Sequence, residues 1–139
     1  MMHKRHNSQE DVINRVTKKT FTVLLYSPDI DFCASFRFLF QDRYNVVTIT
    51  DPKMLLGTVH ELNPALVIVD SAITELMRHR FEIMKCENPH IRIMLLYAVH
   101  FNDNRIREDI RHSVDAAFSK PIDLSELTAS MGALMSQRN

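Results

Sequence analysis

From Phe21 onward, short apolar runs alternate with stretches whose apolar residues return at helical spacing. Phe21 to Tyr26 reads as a first strand, and the helix after it, opened by Asp29 or Asp31, repeats Phe32, Phe36, Leu39 and Phe40 on one face. Tyr44 to Thr50 reads as a second strand. Asp51-Pro52 then supplies an N-cap with proline at the first helical position, ahead of a stripe of Leu55, Leu56, Val59 and Leu62 that Asn63-Pro64 stops. The third strand, Ala65 to Val69, is unbroken apolar sequence and runs into the carboxylate of Asp70. A helix from about Thr74 buries Met77, Phe81 and Met84 and ends at Glu87-Asn88-Pro89. A fourth strand, Ile91 to Tyr97, precedes a charged helix near Asp103 to His112 whose apolar stripe is only Ile106 and Ile110. The last strand is Ala116 to Ser119. Asp123 and Glu126 then cap a helix that turns Leu124, Leu127, Met131 and Leu134 inward.

Five strands separated by helices imply parallel pairing through right-handed crossovers, and runs such as Leu66 to Val69 are apolar enough for burial on both faces. The expected architecture is a doubly wound α/β sandwich with helices on both faces of the sheet. In such sheets ligands bind beyond the carboxyl ends of the strands, where strand order reverses. The residues placed there are Ser27 to Asp29, Asp70, Tyr97 and Lys120. Residues 1–20 are polar and form an extension to the domain of residues 21–139. Ser8 and Asp11 have capping-like spacing before Val12, Ile13 and Val16, so a short helix is expected there.

A chain of 139 residues suits one domain, and its formal charge of zero provides no global field toward nucleic acid or an acidic membrane. No apolar run approaches the roughly 18 residues of a membrane span, and the start, Met1-Met2-His3-Lys4-Arg5-His6, lacks the apolar core of a signal peptide. A cytoplasmic protein that binds neither nucleic acid nor membrane is the expectation. Cys33 and Cys86 lie far apart without a metal-ligand pattern, which suits reduced thiols. With Gly57 and Gly132 as the only glycines, neither a dinucleotide-binding turn nor a P-loop can be built, and no G-x-S-x-G elbow occurs. His60, His79, His90, His100 and His112 have no i, i+4 pairing and read as surface residues. Nothing in this inventory is enzymatic.

Four segments carry a family resemblance: Val23-Leu24-Leu25-Tyr26 with Asp29-Ile30-Asp31-Phe32, Pro64 to Asp70, Ile93 to Ala98, and Val114 to Pro121. In order and spacing, over residues 21–137, they resemble the receiver domains of bacterial response regulators. The resemblance implies a flavodoxin-like sheet of order 2-1-3-4-5 and a place in two-component signalling. It also implies a histidine kinase or a downstream signalling protein as partner. At Asp70 it implies a phosphoryl acceptor, and at Lys120 the cation that pairs with the phosphoryl group.

Transfer to a carboxylate needs Mg²⁺ to offset charge, and Mg²⁺ needs several oxygen ligands. The two acidic positions that receivers carry after strand one read Ser27 and Pro28 here. The small hydroxyl residue after strand four is Tyr97, and the aromatic of strand five is Ala117. These departures point to an atypical receiver that works by protein contact, with phosphorylation weakened or lost. An Asp70–Lys120 ion pair is expected to hold the pocket shut. Two other readings stay open: a working phosphoacceptor in which Asp29 joins Asp70 on Mg²⁺, and a flavodoxin-like module for a small ligand. Each residue also has a plainer role, Asp70 and Asp29 as helix caps, Lys120 as a solvated lysine, and Tyr97 as core packing. The charged fourth helix, with Arg105, Arg107, Asp109 and Arg111, is the expected partner surface. In receivers the fourth helix, fifth strand and fifth helix mediate dimerisation, so a homodimer through that surface is the matching expectation.

Overall fold

The computed structural model describes residues 21–98 and 104–136. The elements are β1 (Thr22–Tyr26), α1 (Ile30–Phe40), β2 (Asn45–Ile49), α2 (Leu55–Leu62) after a short 3₁₀ turn at Pro52–Met54, and β3 (Leu66–Asp70). They continue with α3 (Glu75–Glu87), β4 (Arg92–Tyr97), α4 (Asn104–Ser113), β5 (Ala116–Ser119) and α5 (Leu124–Ser136). All strand pairs are parallel, in the order β2-β1-β3-β4-β5. This is the flavodoxin-like arrangement, with helices on both faces.

Alternation along each strand divides the core into two layers. Val23, Leu25, Leu66, Ile68, Met94 and Leu96 pack with Cys33, Phe36 and Phe40 of α1 and with Leu127, Met131 and Leu134 of α5. Their neighbours Leu24, Val67, Val69, Ile93 and Leu95 face Leu55, Val59, Met77, Phe81, Met84 and Ile110 of the other three helices. All five residues of β3 are buried, as a central strand covered on both sides requires.

The local signals act as their chemistry dictates. The side chains of Asp29, Asp51 and Thr74 each accept a backbone N–H of the turn they open. Asp123 Oδ1 accepts from Ser125 and Glu126. Asn63 ends α2 in the left-handed region, φ 46°, a conformation asparagine tolerates better than most residues, and Pro64 prevents continuation.

Three leucines expected inside are instead exposed: Leu39, Leu62 and Leu124. The buried stripe of α1 runs through Cys33, Phe36 and Phe40, and Leu39 sits one residue, roughly 100° of rotation, from Phe40. Leu124 opens α5, and because helical side chains lean toward the N-terminus it has no preceding turn to cover. Leu62 is the last residue of its helix. The side chain of Ile106, and the short helix expected before Phe21, lie outside the described residues.

At the amino end of the sheet Asp115 joins three elements. It accepts from Lys85 Nζ at 2.6 Å and from the backbone N–H of Ile93 at 2.7 Å, and it pairs with Arg92 at 3.5 Å. Lys85 also donates to the carbonyl of Ile91 at 2.6 Å. Asp115→Ala is expected to cost about 1–2 kcal/mol in urea unfolding, since it strands partly buried donors that water reaches only in part. An unchanged midpoint would mean that these contacts contribute nothing net.

Candidate functional site at the Asp70 strand end

Asp70 is the last residue of β3, in register with Leu96 of β4, and it lies at the carboxyl edge where order reverses between β1 and its two neighbours. It is one of two buried polar residues among those described; the other is Ser27. Ser27 follows β1 directly and is fixed by its backbone N–H, which donates to the Ile49 carbonyl at 3.1 Å. The Ser27 hydroxyl accepts the N–H of Asp29 at 3.1 Å and donates its single proton to Asp70 Oδ2 at 2.6 Å. Across the site, Lys120 is held at the end of β5 by its N–H on the Tyr97 carbonyl, 2.8 Å, and precedes a cis peptide to Pro121. Its ammonium pairs with Asp70 Oδ1. Both carboxylate oxygens of Asp70 are therefore engaged by donors from two other strand ends.

The pair is lopsided: the Lys120 side chain is 41% exposed and that of Asp70 only 5%. Neighbouring groups register the buried negative charge. The Tyr26 phenol is pushed above its ordinary value by burial first and then by Asp70, with Asp51 adding and Arg80 opposing. Burial likewise pushes the Cys33 thiol up, with Asp29 and Asp70 adding, and its Sγ donates to the Ser27 carbonyl at 3.6 Å. A protonated, buried thiol of this kind is unreactive.

The residues present do not fit Mg²⁺. Pro28 offers no side-chain oxygen, Ser27 spends its hydroxyl on Asp70, and Asp29 is exposed at the start of α1 with Oδ1 accepting the N–H of Phe32 at 3.1 Å. Among the described residues no group of three or more His, Cys, Asp or Glu side chains could hold a metal ion.

Tyr97 is buried in the layer shared with Tyr26, Val69 and Met77, and Ala117 borders the same layer from β5. Its ring thus lies on the opposite face from Ile68 and Leu96, whose parity Asp70 continues. Tyr97 is a packing residue of that layer. Of the surface expected on α4, Glu108, Arg111 and His112 are exposed and Ile110 is buried, while the side chains of Arg105, Arg107 and Asp109 lie outside the described residues. Ser27 thus has a role as donor to Asp70 that the loss of a carboxylate at its position does not announce.

The parallel sheet of order 2-1-3-4-5 is the fold that solved receiver domains share. A response regulator receiver domain protein from Clostridium thermocellum superposes with a TM-score of 0.73 at 18% identity, covering 85% of this chain and 96% of that one. A response regulator from Thermotoga maritima gives 0.71 at 17% identity, covering 84% and 98%. NtrX from Brucella abortus gives 0.67 at 14% identity over 84% of this chain but only 26% of its own length. No family model and no curated protein matches the sequence. The chain has the response-regulator receiver fold; at these identities the likeness is one of fold. No helix among the described residues is long and apolar enough to cross a membrane.

Proposed function

We infer that this chain is an atypical receiver-like domain of two-component signalling that acts by protein–protein contact, with phosphorylation of Asp70 weakened or lost. The observation that carries the reading is the triad of Ser27, Asp70 and Lys120: phosphoryl transfer to a carboxylate needs a metal to offset charge, and here a serine hydroxyl donates to Asp70 from the position where a metal-ligating carboxylate would be required. Output depends on surfaces instead. The exposed side of α4 with the neighbouring β5 and α5, marked by Arg111, is the contact surface we assign, for a signalling partner or a second copy.

Incubation of the full chain with Mg²⁺ and a small phosphodonor, read by intact mass, is expected to yield no phosphoryl adduct. An adduct that disappears in Asp70→Asn would replace this reading with that of a working acceptor. A nucleotide or chromophore retained through purification would instead favour a ligand-binding module.

A further inference from the structure

Helix α1 carries a second apolar stripe that the core does not use. Ile30, Ala34 and Phe38 recur at four-residue spacing, and Ile30 and Phe38 are 71% and 75% exposed. With Thr48 and Thr50 they line a groove of about 430 Å³ between the helix and β2, the edge strand of the sheet. Arg37 lies along it with a guanidinium N–H donating to Thr48 Oγ1 at 2.9 Å. The occupant of this groove has to supply apolar side chains and cover a sheet edge.

We propose that the chain's own segment Val12 to Val16 occupies it. Apart from Met1 and Met2, the apolar residues among the first twenty are Val12, Ile13 and Val16, spaced to share one side of a helical turn. The segment enters at the correct place. The Phe21 carbonyl accepts the N–H of Asn45, the first residue of β2, and the Tyr44 ring lies tilted beside Phe40 at the end of α1, centroids 6.5 Å apart. Phe38 and Gln41, at the C-terminal end of α1, line the groove near that same end of the molecule. The five steps from Val16 to Phe21 reach roughly 17 Å, more than the ~12 Å of helix axis from Phe38 to Ile30.

Charge agrees. Residues 1–20 hold five basic side chains and two acidic ones, so in a formally neutral chain the remainder carries three excess acids. Lys18 and Lys19 would arrive beside exposed Asp42 and the carbonyl end of α1, which favours cations; Arg43 opposes them, and Arg37 is engaged with Thr48. Docked this way, the segment covers α1 and the β2 edge and leaves the opposite edge, at β5, open.

The test is tryptic cleavage of the folded full chain after Lys18 and Lys19, normalised to cleavage after Arg5 on the far side of the docked turn. Phe38→Asp alters an exposed groove residue, and Val12→Asp with Val16→Asp alters only the segment. Each is expected to speed the cleavage about tenfold, and combining them is expected to add little, because proteolysis follows the undocked population and both changes remove the same contact. Wild-type cleavage as fast as in the variants would overturn the proposal. Protection that vanishes on dilution would overturn it too, since a second copy would then be the occupant.

Discussion

Lys120→Met is expected to lower the stability of the domain by about 2–3 kcal/mol, while Asp70→Asn costs under about 1 kcal/mol, although both delete the same ion pair. The asymmetry follows from where each partner sits. Asp70 is 5% exposed, so without Lys120 its charge stays buried with only the Ser27 hydroxyl and nearby dipoles to offset it. The Lys120 ammonium is on a side chain 41% exposed, so in Asp70→Asn it swings into water, and the amide oxygen of the replacement side chain still accepts from Ser27. The figure for Lys120→Met lies below that for a fully buried pair because of that same exposure. Urea unfolding at unchanged m-value measures both, and the double variant should recover to within about 1 kcal/mol of wild type. Equal losses in the two single variants would show that the pair is a surface contact and that Asp70 is not sealed.

Strand and helix order were legible because the pattern is redundant: β1, β3 and β4 each hold four or more consecutive apolar residues, and four of the five helices have a cap or a stop in the sequence. Asp29, Asp51 and Asp123 cap where their positions predict. In the fold the misplaced side chains are Leu39, Leu62 and Leu124, which lie beside a buried stripe or at a helix end and are exposed. The site was half legible. The position of Asp70 opposite Lys120 follows from topology, since the ends of β3 and β5 meet at one edge of the sheet. The orientation of Tyr97 toward the face opposite Asp70 follows from strand parity, and no residue type announces it. Nor does sequence show which proton acceptor a serine selects; that depends on the Asp29 N–H having already taken the acceptor side of its hydroxyl.

Ser27→Asp should convert the site into one whose stability depends on divalent metal. The substitution removes the proton that Asp70 Oδ2 receives at 2.6 Å and places a second carboxylate in a fully buried position beside the first. Lys120 cannot neutralise both, so without metal the expected loss is about 3–4 kcal/mol, at the upper end for single substitutions. Mg²⁺ at about 100 times its dissociation constant would return roughly 2.7 kcal/mol of that loss, because the ion binds the folded form and not the unfolded one. Ser27→Ala, which deletes the hydrogen bond without adding charge, is expected to lose about 1–2 kcal/mol, and neither it nor the parent chain is expected to respond to the ion. Thermal melting of the three proteins with Mg²⁺ and with chelator separates the cases. If the parent chain gains as much from Mg²⁺ as Ser27→Asp, the present donors already form a metal site, and the closure of Asp70 by Ser27 and Lys120 yields to the ion. If only Ser27→Asp responds, one hydroxyl in place of one carboxylate is what keeps this strand end without a metal, and Asp70 serves the fold as the buried partner of Lys120.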